Sequence, residues 1–350
     1  MPGFSSTLPP RAVSLLLLLG AVAGPAPVRA QGADGPFGTL LVAGMDADAV
    51  WLIDLPSGRQ RAVIETHIAP HEVAVSNDGS LALVTNYGDE RGPGNLIQVV
   101  DVVSGRVIDE IEVDGYERLH GAAFLPGDSL FALTSERTGE VLIMGLGDRQ
   151  MRHSLETGGR ASHMLALGGA WIYTANISDG TVSRIDPSGE TDPHVWPAGT
   201  STEGMAATPD GSEGWTGSME GGEVTGVDGA TGAVVARITG LQVPYRLAVT
   251  PDGATVVVSD PEAEELVLID RASGTIAARI DIAAAAGRDG LSGGTSPQGF
   301  ALSRDGRWAF VSTKGIDRVA LVDLDAAQVV AFIESPAGPD GIAVSPLAGG

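Results

Sequence analysis

Short apolar runs of about six residues, separated by turns rich in glycine and aspartate, extend along the chain from residue 39 to its end. Runs of this length are typical of β-strands, because a helix needs at least about ten residues of sustained periodicity. Pairs such as Asp210-Gly211, Asp252-Gly253 and Asp305-Gly306 lie between successive runs, where glycine reaches positive φ without steric cost. The pattern therefore predicts an all-β protein built from antiparallel hairpins.

One unit recurs seven times in this pattern. Each copy begins with an apolar segment whose fourth residue is alanine: Ala74, Ala123, Ala166, Ala206, Ala248, Ala301 and Ala343. A tight turn follows in most copies, then a second strand, a third strand that usually ends in aspartate, and a fourth strand. A four-stranded antiparallel unit of about 40 to 50 residues is the blade of a β-propeller.

The two ends of the chain together supply one blade. Residues 39–66 contain second, third and fourth strands with no first strand before them, whereas residues 340–345 are a first strand and little more. We therefore predict that residues 340–345 pair with residues 39–45, which closes the ring and removes its open edges. Six whole units and this composite blade predict a seven-bladed β-propeller as a single domain, residues 31–350.

Residues 1–30 have the layout of a secretory signal peptide. Arg11 precedes the apolar run 13–22, and the triplet Val28-Arg29-Ala30 offers a cleavage site. A membrane anchor is disfavoured, because this run is about half of the roughly 20 residues that a spanning helix needs. We expect cleavage after Ala30 and a periplasmic or secreted protein with no membrane span.

Several segments resemble the YVTN-repeat β-propellers, a family of exported or surface proteins of bacteria and archaea. They are Leu83-Val-Thr-Asn-Tyr-Gly, Asn95-Leu-Ile-Gln-Val-Val-Asp and Pro251-Asp-Gly, and the resemblance covers essentially all of residues 31–350. It departs where Gly127-Asp128 and Gly168-Gly169 replace the Asp-Gly turn. The resemblance implies a binding platform, and relatives of similar architecture serve as lactonases, lyases or cofactor-bearing oxidoreductases.

Composition removes several classes of function. The chain has no cysteine, which excludes disulfides, thiolate metal sites and cysteine nucleophiles. Its 44 acidic residues outnumber 21 basic ones and give a formal charge of −23. Nucleic-acid binding is disfavoured, because a phosphate backbone is bound by clustered lysine and arginine.

The first residue of each inner strand is the candidate site. These residues share one offset from the repeated alanine, so closure of the ring should place them at one mouth of the central channel: His71, His120, His163, Glu203, Tyr245, Gln298 and Asp340. Three imidazoles and a carboxylate, from His71, His120, His163 and Glu203, could hold Zn, Fe, Mn or Cu. Alternatively, one histidine was copied with the repeat, and these polar residues line a wet channel. The remaining histidines, His67, His153 and His194, are predicted to lie at the surface.

Two functions remain open at this point. The first is a monomeric binding platform that takes a small molecule or a protein partner at the channel mouth. The second is a metal-dependent enzyme of lactonase, lyase or oxidase type that uses the histidine ring. The sequence assigns no catalytic residue, because no nucleophile lies in a recognisable setting.

Overall fold

A computed structural model of the chain describes residue 3 and residues 35–349. The predicted signal peptide therefore lies outside the described residues apart from Gly3. In the described part, the chain forms 28 strands arranged as seven four-stranded antiparallel sheets. The predicted seven-bladed β-propeller is confirmed.

The strands follow the chain in blade order. Blade 1 takes β1 (Thr39–Gly44), β2 (Ala49–Asp54) and β3 (Arg59–Glu65) from the start of the described chain. Blade 2 is β4 (Pro70–Val75), β5 (Leu81–Asp89), β6 (Gly92–Asp101) and β7 (Arg106–Glu112). Blade 3 is β8 (Leu119–Phe124), β9 (Leu130–Ser135), β10 (Glu140–Gly145) and β11 (Met151–Glu156). Blade 4 is β12 (Ser162–Gly168), β13 (Trp171–Asn176), β14 (Thr181–Ile185) and β15 (His194–Pro197).

Three further blades and the closing strand complete the ring. Blade 5 is β16 (Thr202–Ala207), β17 (Glu213–Ser218), β18 (Glu223–Asp228) and β19 (Val234–Thr239). Blade 6 is β20 (Leu247–Val249), β21 (Thr255–Asp260), β22 (Glu265–Asp270) and β23 (Thr275–Asp281). Blade 7 is β24 (Pro297–Leu302), β25 (Trp308–Thr313), β26 (Arg318–Asp323) and β27 (Gln328–Glu334). The last strand, β28 (Pro339–Ser345), returns to blade 1 as its innermost strand.

The ring closes as the sequence predicts. β28 pairs antiparallel with β1, with Ser345 opposite Thr39 and Pro339 opposite Gly44. On its other side, β28 contacts the innermost strands of the two neighbouring blades, β4 and β24. Both ends of the described propeller are therefore held in one sheet.

The repeated alanine has the same register in all seven blades. Each lies opposite the third residue of the second strand, for example Ala74 opposite Leu83 and Ala343 opposite Leu41. The aspartates that end most third strands cap the following turns, as Asp270 does by accepting from the Ser273 backbone N–H at 2.8 Å. The repeated alanine in the sequence therefore marks the same position of the inner strand in every blade.

The hydrophobic core is divided among the interfaces between blades. Seven buried clusters fill the seven interfaces, and each takes side chains from two adjacent blades. Trp215 and Tyr173, both fully buried, lie in adjacent clusters. Since adjacent blades share each cluster, packing between the blades holds the starts of the inner strands in place around the axis.

The insertion before Gln298 contains the one α-helix of the described residues. The alanine-rich segment forms α1 (Ile282–Arg288), which Asp281 caps by accepting from the Ala284 backbone N–H at 2.7 Å. The loop that follows is anchored at its end, where Thr295 donates to Glu264. The sequence pattern does not predict this helix, because a two-turn helix is too short for a periodicity signal. No helix in the described part of the chain has the length and apolar character to cross a bilayer.

Gly341 is expected to tolerate no side chain. A Cβ at this position would lie 1.8 Å from the carbonyl oxygen of His71, where β28 packs against β4. We expect Gly341→Ala to destabilise the fold by about 1–3 kcal/mol, because backbone must move to relieve the clash. Urea unfolding measures this, with Gly287→Ala in α1 as the matched control, since a Cβ there meets no atom within 4 Å. Equal stability of the two variants would contradict the close packing of inner strands.

Candidate functional site: a buried polar cluster on the propeller axis

The predicted ring residues lie at irregular starts of the inner strands. In blades 1–5 and 7 the register of the inner strand shifts by one residue near its start, as between Pro70 and Val73 in β4. Such a bulge turns a side chain out of the alternation of the strand. His71 and Glu72, the second and third residues of β4, can therefore both reach the channel.

Three of the ring residues form a stack of imidazoles. The ring centroids of His71 and His120 are 4.1 Å apart and those of His120 and His163 are 3.6 Å apart, with the ring planes inclined by 51° and 37°. All three residues are buried, and His120 has no exposed surface. The phenol of Tyr87 packs against this stack, 5.0 Å from His71 and 5.4 Å from His120. This arrangement agrees with the expectation that the three imidazoles share one space on the axis.

Buried hydroxyl groups hold the histidine backbones in place. Thr85 on β5 accepts from the N–H of Glu72 at 3.0 Å and donates to the carbonyl of His120 at 3.2 Å. Thr134 on β9 does the same one blade further on, between the N–H of Gly121 and the carbonyl of His163. Each hydroxyl links its own blade to the next, so it fixes the spacing of successive imidazoles.

His163 is held between two carboxylates. Its Nε2 lies 2.6 Å from Oε1 of Glu203, and its Nδ1 lies 2.9 Å from Oε2 of Glu136. Burial alone lowers the pKa of His163, but the two carboxylates outweigh this effect and raise the pKa to about 9. Burial raises the pKa of Glu203, but His163 and Arg246 overcome it and lower the pKa to about 2. At neutral pH this trio therefore carries one imidazolium between two carboxylates.

The pKa of His120 is shifted in the opposite direction from that of His163. Burial, together with the neighbouring His163, His71 and Arg246, lowers its pKa well below the usual range. Neither ring nitrogen of His120 has a hydrogen-bond partner among the described residues. A buried imidazole with both nitrogens unpartnered carries a desolvation cost of about 1–3 kcal/mol for each group.

Arg246 crosses the channel. Its guanidinium donates to Glu203 of blade 5 at 2.7 Å and to Glu72 of blade 2 at 2.9 Å, although Arg246 itself belongs to blade 6. Burial raises the pKa of Glu72, but Arg246 and His71 outweigh it, so the net shift is downward. Arg246 is 4% exposed, and it stacks over the ring of Tyr245 at 4.5 Å. The axis at this level is therefore occupied by an ionic cluster.

The other three predicted ring residues, Tyr245, Gln298 and Asp340, differ in what they contact. Tyr245 precedes β20 and supports Arg246. Asp340 is 2% exposed, and its Oδ1 has no hydrogen-bond partner in the described part. Gln298 is turned to its own connection, where its amide donates to Ser296 at 2.9 Å. The structure therefore places Gln298 outside the cluster, whereas Tyr245 contacts it.

The four predicted ligands fall into two groups: His71 and His120 lie together beside Glu72, and His163 lies with Glu203. His71, Glu72 and His120 offer ligand atoms that all lie within 4.8 Å of one another, and this group could hold a metal ion. His163 and Glu203 contact each other directly instead. His67, His153 and His194 are exposed, as predicted.

Sequence reasoning missed Glu72, Arg246 and Glu136. Glu72 and Arg246 each follow the ring residue of their repeat unit, at a position where four other units carry glycine: Gly121, Gly204, Gly299 and Gly341. Charged residues at a position where four of the five other units carry glycine were a signal in the sequence. Glu136 follows β9 and gave no such signal, because it reaches the axis only through the fold.

A cleft of about 570 Å³ opens beside the histidine stack. It lies between the Tyr87–Gly94 hairpin region of blade 2 and the segments 117–118 and 136–137 of blade 3. Its wall is joined to the axis, because the Tyr87 hydroxyl donates to Glu136 at 2.7 Å and Glu136 in turn contacts His163. Arg118 closes the wall by pairing with Glu136 at 2.8 Å and lying over the Tyr87 ring at 5.0 Å. A second cleft, of about 700 Å³, is lined by Arg160 and Glu220 among others.

The charge on His163 predicts how stability depends on pH in chelator-treated protein. A raised histidine pKa contributes stability that is complete below pH 6.5 and is lost as the pH rises through about 9. A lowered glutamate pKa contributes stability that is present above pH 4.5 and is lost as the pH falls through about 2. We therefore expect urea unfolding midpoints to fall between pH 6.5 and 9.5, and His163→Gln to reduce this fall. An equal alkaline fall in the variant would contradict the assignment.

Comparison with known proteins shows the fold alone. No protein-family model and no curated protein matches the chain. A structure of a functionally unknown protein from Desulfotomaculum acetoxidans DSM 771 aligns with a TM-score of 0.71 at 13% identity, covering 89% of this chain and 100% of that one. A structure of U3-55K aligns with a TM-score of 0.66 at 17% identity, covering 79% of this chain and 85% of that one. Both similarities support the β-propeller architecture.

Proposed function

We propose that the chain is an exported β-propeller of the YVTN-repeat type that binds a small ligand or a protein partner at the mouth of its central channel. The observation that carries this proposal is the cleft beside Tyr87. Concave sites with a few convergent polar groups are the usual places of ligand binding. Here the polar groups belong to Tyr87, Arg118 and Glu136, and a hydrogen-bonded path leads from them to the buried axial cluster.

Sequence features support export and the repeat type. The segment Leu83-Val-Thr-Asn lies on β5, and its threonine, Thr85, links two inner strands. The apolar run before Ala30 resembles the hydrophobic region of a signal peptide. We propose a periplasmic or secreted protein on these grounds.

A thermal-shift screen tests the platform. We expect one or more members of a library of polar small molecules to raise the melting temperature of the wild-type protein. Arg118→Ala should weaken that binding at least about tenfold, because Arg118 is an exposed part of the cleft wall. Arg160→Ala is the matched control, since Arg160 lines the second cleft. Binders that respond to Arg160 and not to Arg118 would contradict the proposed site.

The second candidate function is a metal-dependent enzyme of lactonase, lyase or oxidase type. One observation favours it: His71, Glu72 and His120 could hold an ion, and the nitrogens of His120 are unpartnered among the described residues. Zn, Fe, Mn and Cu all accept imidazole nitrogen as a ligand. Turnover of a lactone panel by zinc-loaded but not by metal-stripped protein would support this function over a platform without catalysis.

A further inference from the structure

We propose that His71, Glu72 and His120 form a three-residue site for one divalent transition-metal ion, and that His163 and Glu203 remain outside its coordination sphere. This inference deepens the second candidate function and rests on it for any catalytic role. Metal binding itself can be measured without activity. The failure of the site and the failure of the enzymatic proposal are therefore distinguishable.

Distances support the ligand set. Two ligand atoms that each lie about 2.1 Å from one ion are at most roughly 4.2 Å apart. The offered atoms of His71, Glu72 and His120 already lie within 4.8 Å of one another. A small side-chain rotation therefore brings all three to one ion, with no movement of the strands.

The unpartnered nitrogens of His120 are the second, independent observation. His120 has no exposed surface, and both of its ring nitrogens lack a partner in the described chain. Nδ1 of His71 is also buried and unpartnered there, although it lies 3.5 Å from Glu72. A metal ion would accept the lone pair of one ring nitrogen of His120 and of one ring nitrogen of His71, and so provide a partner for two of these buried groups.

The charge around the site favours a cation. Three acidic side chains, from Glu72, Glu203 and Asp340, surround the buried guanidinium of Arg246. Glu203 also contacts His163, and Glu136 also pairs with Arg118, so one guanidinium is left to balance Glu72 and Asp340. Arg246 engages Oε1 of Glu72. A positive ion beside Glu72 would therefore reduce an excess of buried negative charge.

His163 is excluded from the set by its partners. Both of its ring nitrogens already contact carboxylates, at 2.6 and 2.9 Å. To bind an ion it would have to give up at least one of these contacts. Two histidines and one carboxylate leave positions open on the ion, as in sites that bind an exogenous ligand.

Zinc binding to untagged, EDTA-stripped protein tests the proposal. We expect one zinc ion per chain by elemental analysis, and an affinity at least about 100-fold weaker in His120→Ala and Glu72→Gln, because loss of an outer-sphere partner alone costs 10–100-fold. His153→Ala, at the surface, is the matched control. His163→Gln should keep the one-to-one stoichiometry. Loss of zinc in His163→Gln equal to that in His120→Ala would overturn the proposed ligand set.

X-ray absorption at the zinc edge keeps the test independent of variants that fail to fold. Zinc-loaded wild-type protein should show two imidazoles and oxygen ligands around the ion. Absence of stoichiometric zinc, or a coordination shell with one imidazole or three, would overturn the proposal.

Discussion

Removal of residues 339–350 is expected to lower the melting temperature by about 10 °C or more, or to prevent folding. β28 pairs along its length with β1 and packs against β4 and β24. β28 also contributes side chains to two hydrophobic clusters. Ile342 belongs to the cluster between blades 1 and 7, and Ala343 belongs to the cluster between blades 1 and 2. The deletion leaves β1 with an unpaired inner edge and opens two blade interfaces. At roughly 2 °C per kcal/mol for a chain of this size, the loss of several kcal/mol produces this shift.

Differential scanning calorimetry measures the effect. The matched control is a shorter truncation, of residues 348–350, which follows β28 and leaves its pairing intact. We expect the control to melt close to the wild-type protein. If the two truncations melt at the same temperature, the composite blade does not close the ring.

Replacement of Arg246 by methionine is expected to destabilise the fold by about 3–5 kcal/mol, because it takes the guanidinium away from the largely buried carboxylate of Glu72 and leaves Glu203 with His163 alone. Glu203 is 3% exposed, and the Glu72 side chain is 12% exposed. Each accepts from a different nitrogen of the same guanidinium. Arg246→Lys should recover only part of the loss, since one ammonium cannot present the planar fork that joins blades 2, 5 and 6.

A compensating variant makes this prediction specific. Adding Glu72→Gln and Glu203→Gln to Arg246→Met removes the buried negative charges, and we expect it to restore a large part of the lost stability. Urea unfolding gives each free energy. If the triple variant is less stable than Arg246→Met, the lost stability comes from packing around Arg246, and the account of the ionic cluster is wrong.

The fold follows from the sequence because the repeat carries its own phase. Seven alanines at one offset fix the register of the inner strands, and the Asp-Gly turns fix the hairpins. The composite blade follows from the same phase, since a first strand is missing at residue 39 and present at residue 340. The helix α1 could not be predicted from the repeat, because it lies in an insertion outside it.

The site followed from the sequence only in part. The shared offset of His71, His120 and His163 predicts their convergence, and the imidazoles do stack. Their different environments were not predictable, because these depend on the bulges at the strand starts and on residues from other positions of the repeat. Glu136 holds His163 from the end of β9, and Arg246 reaches across the axis from blade 6.

The most direct test of the axial cluster is nitrogen-15 NMR of the histidine rings in metal-free protein, recorded between pH 5 and 10. We predict that His163 stays an imidazolium at pH 7.5 and loses its proton near pH 9, whereas His120 is neutral at pH 7.5. If His120 and His163 instead both titrate near the ordinary histidine pKa of about 6.5, the buried cluster is contradicted.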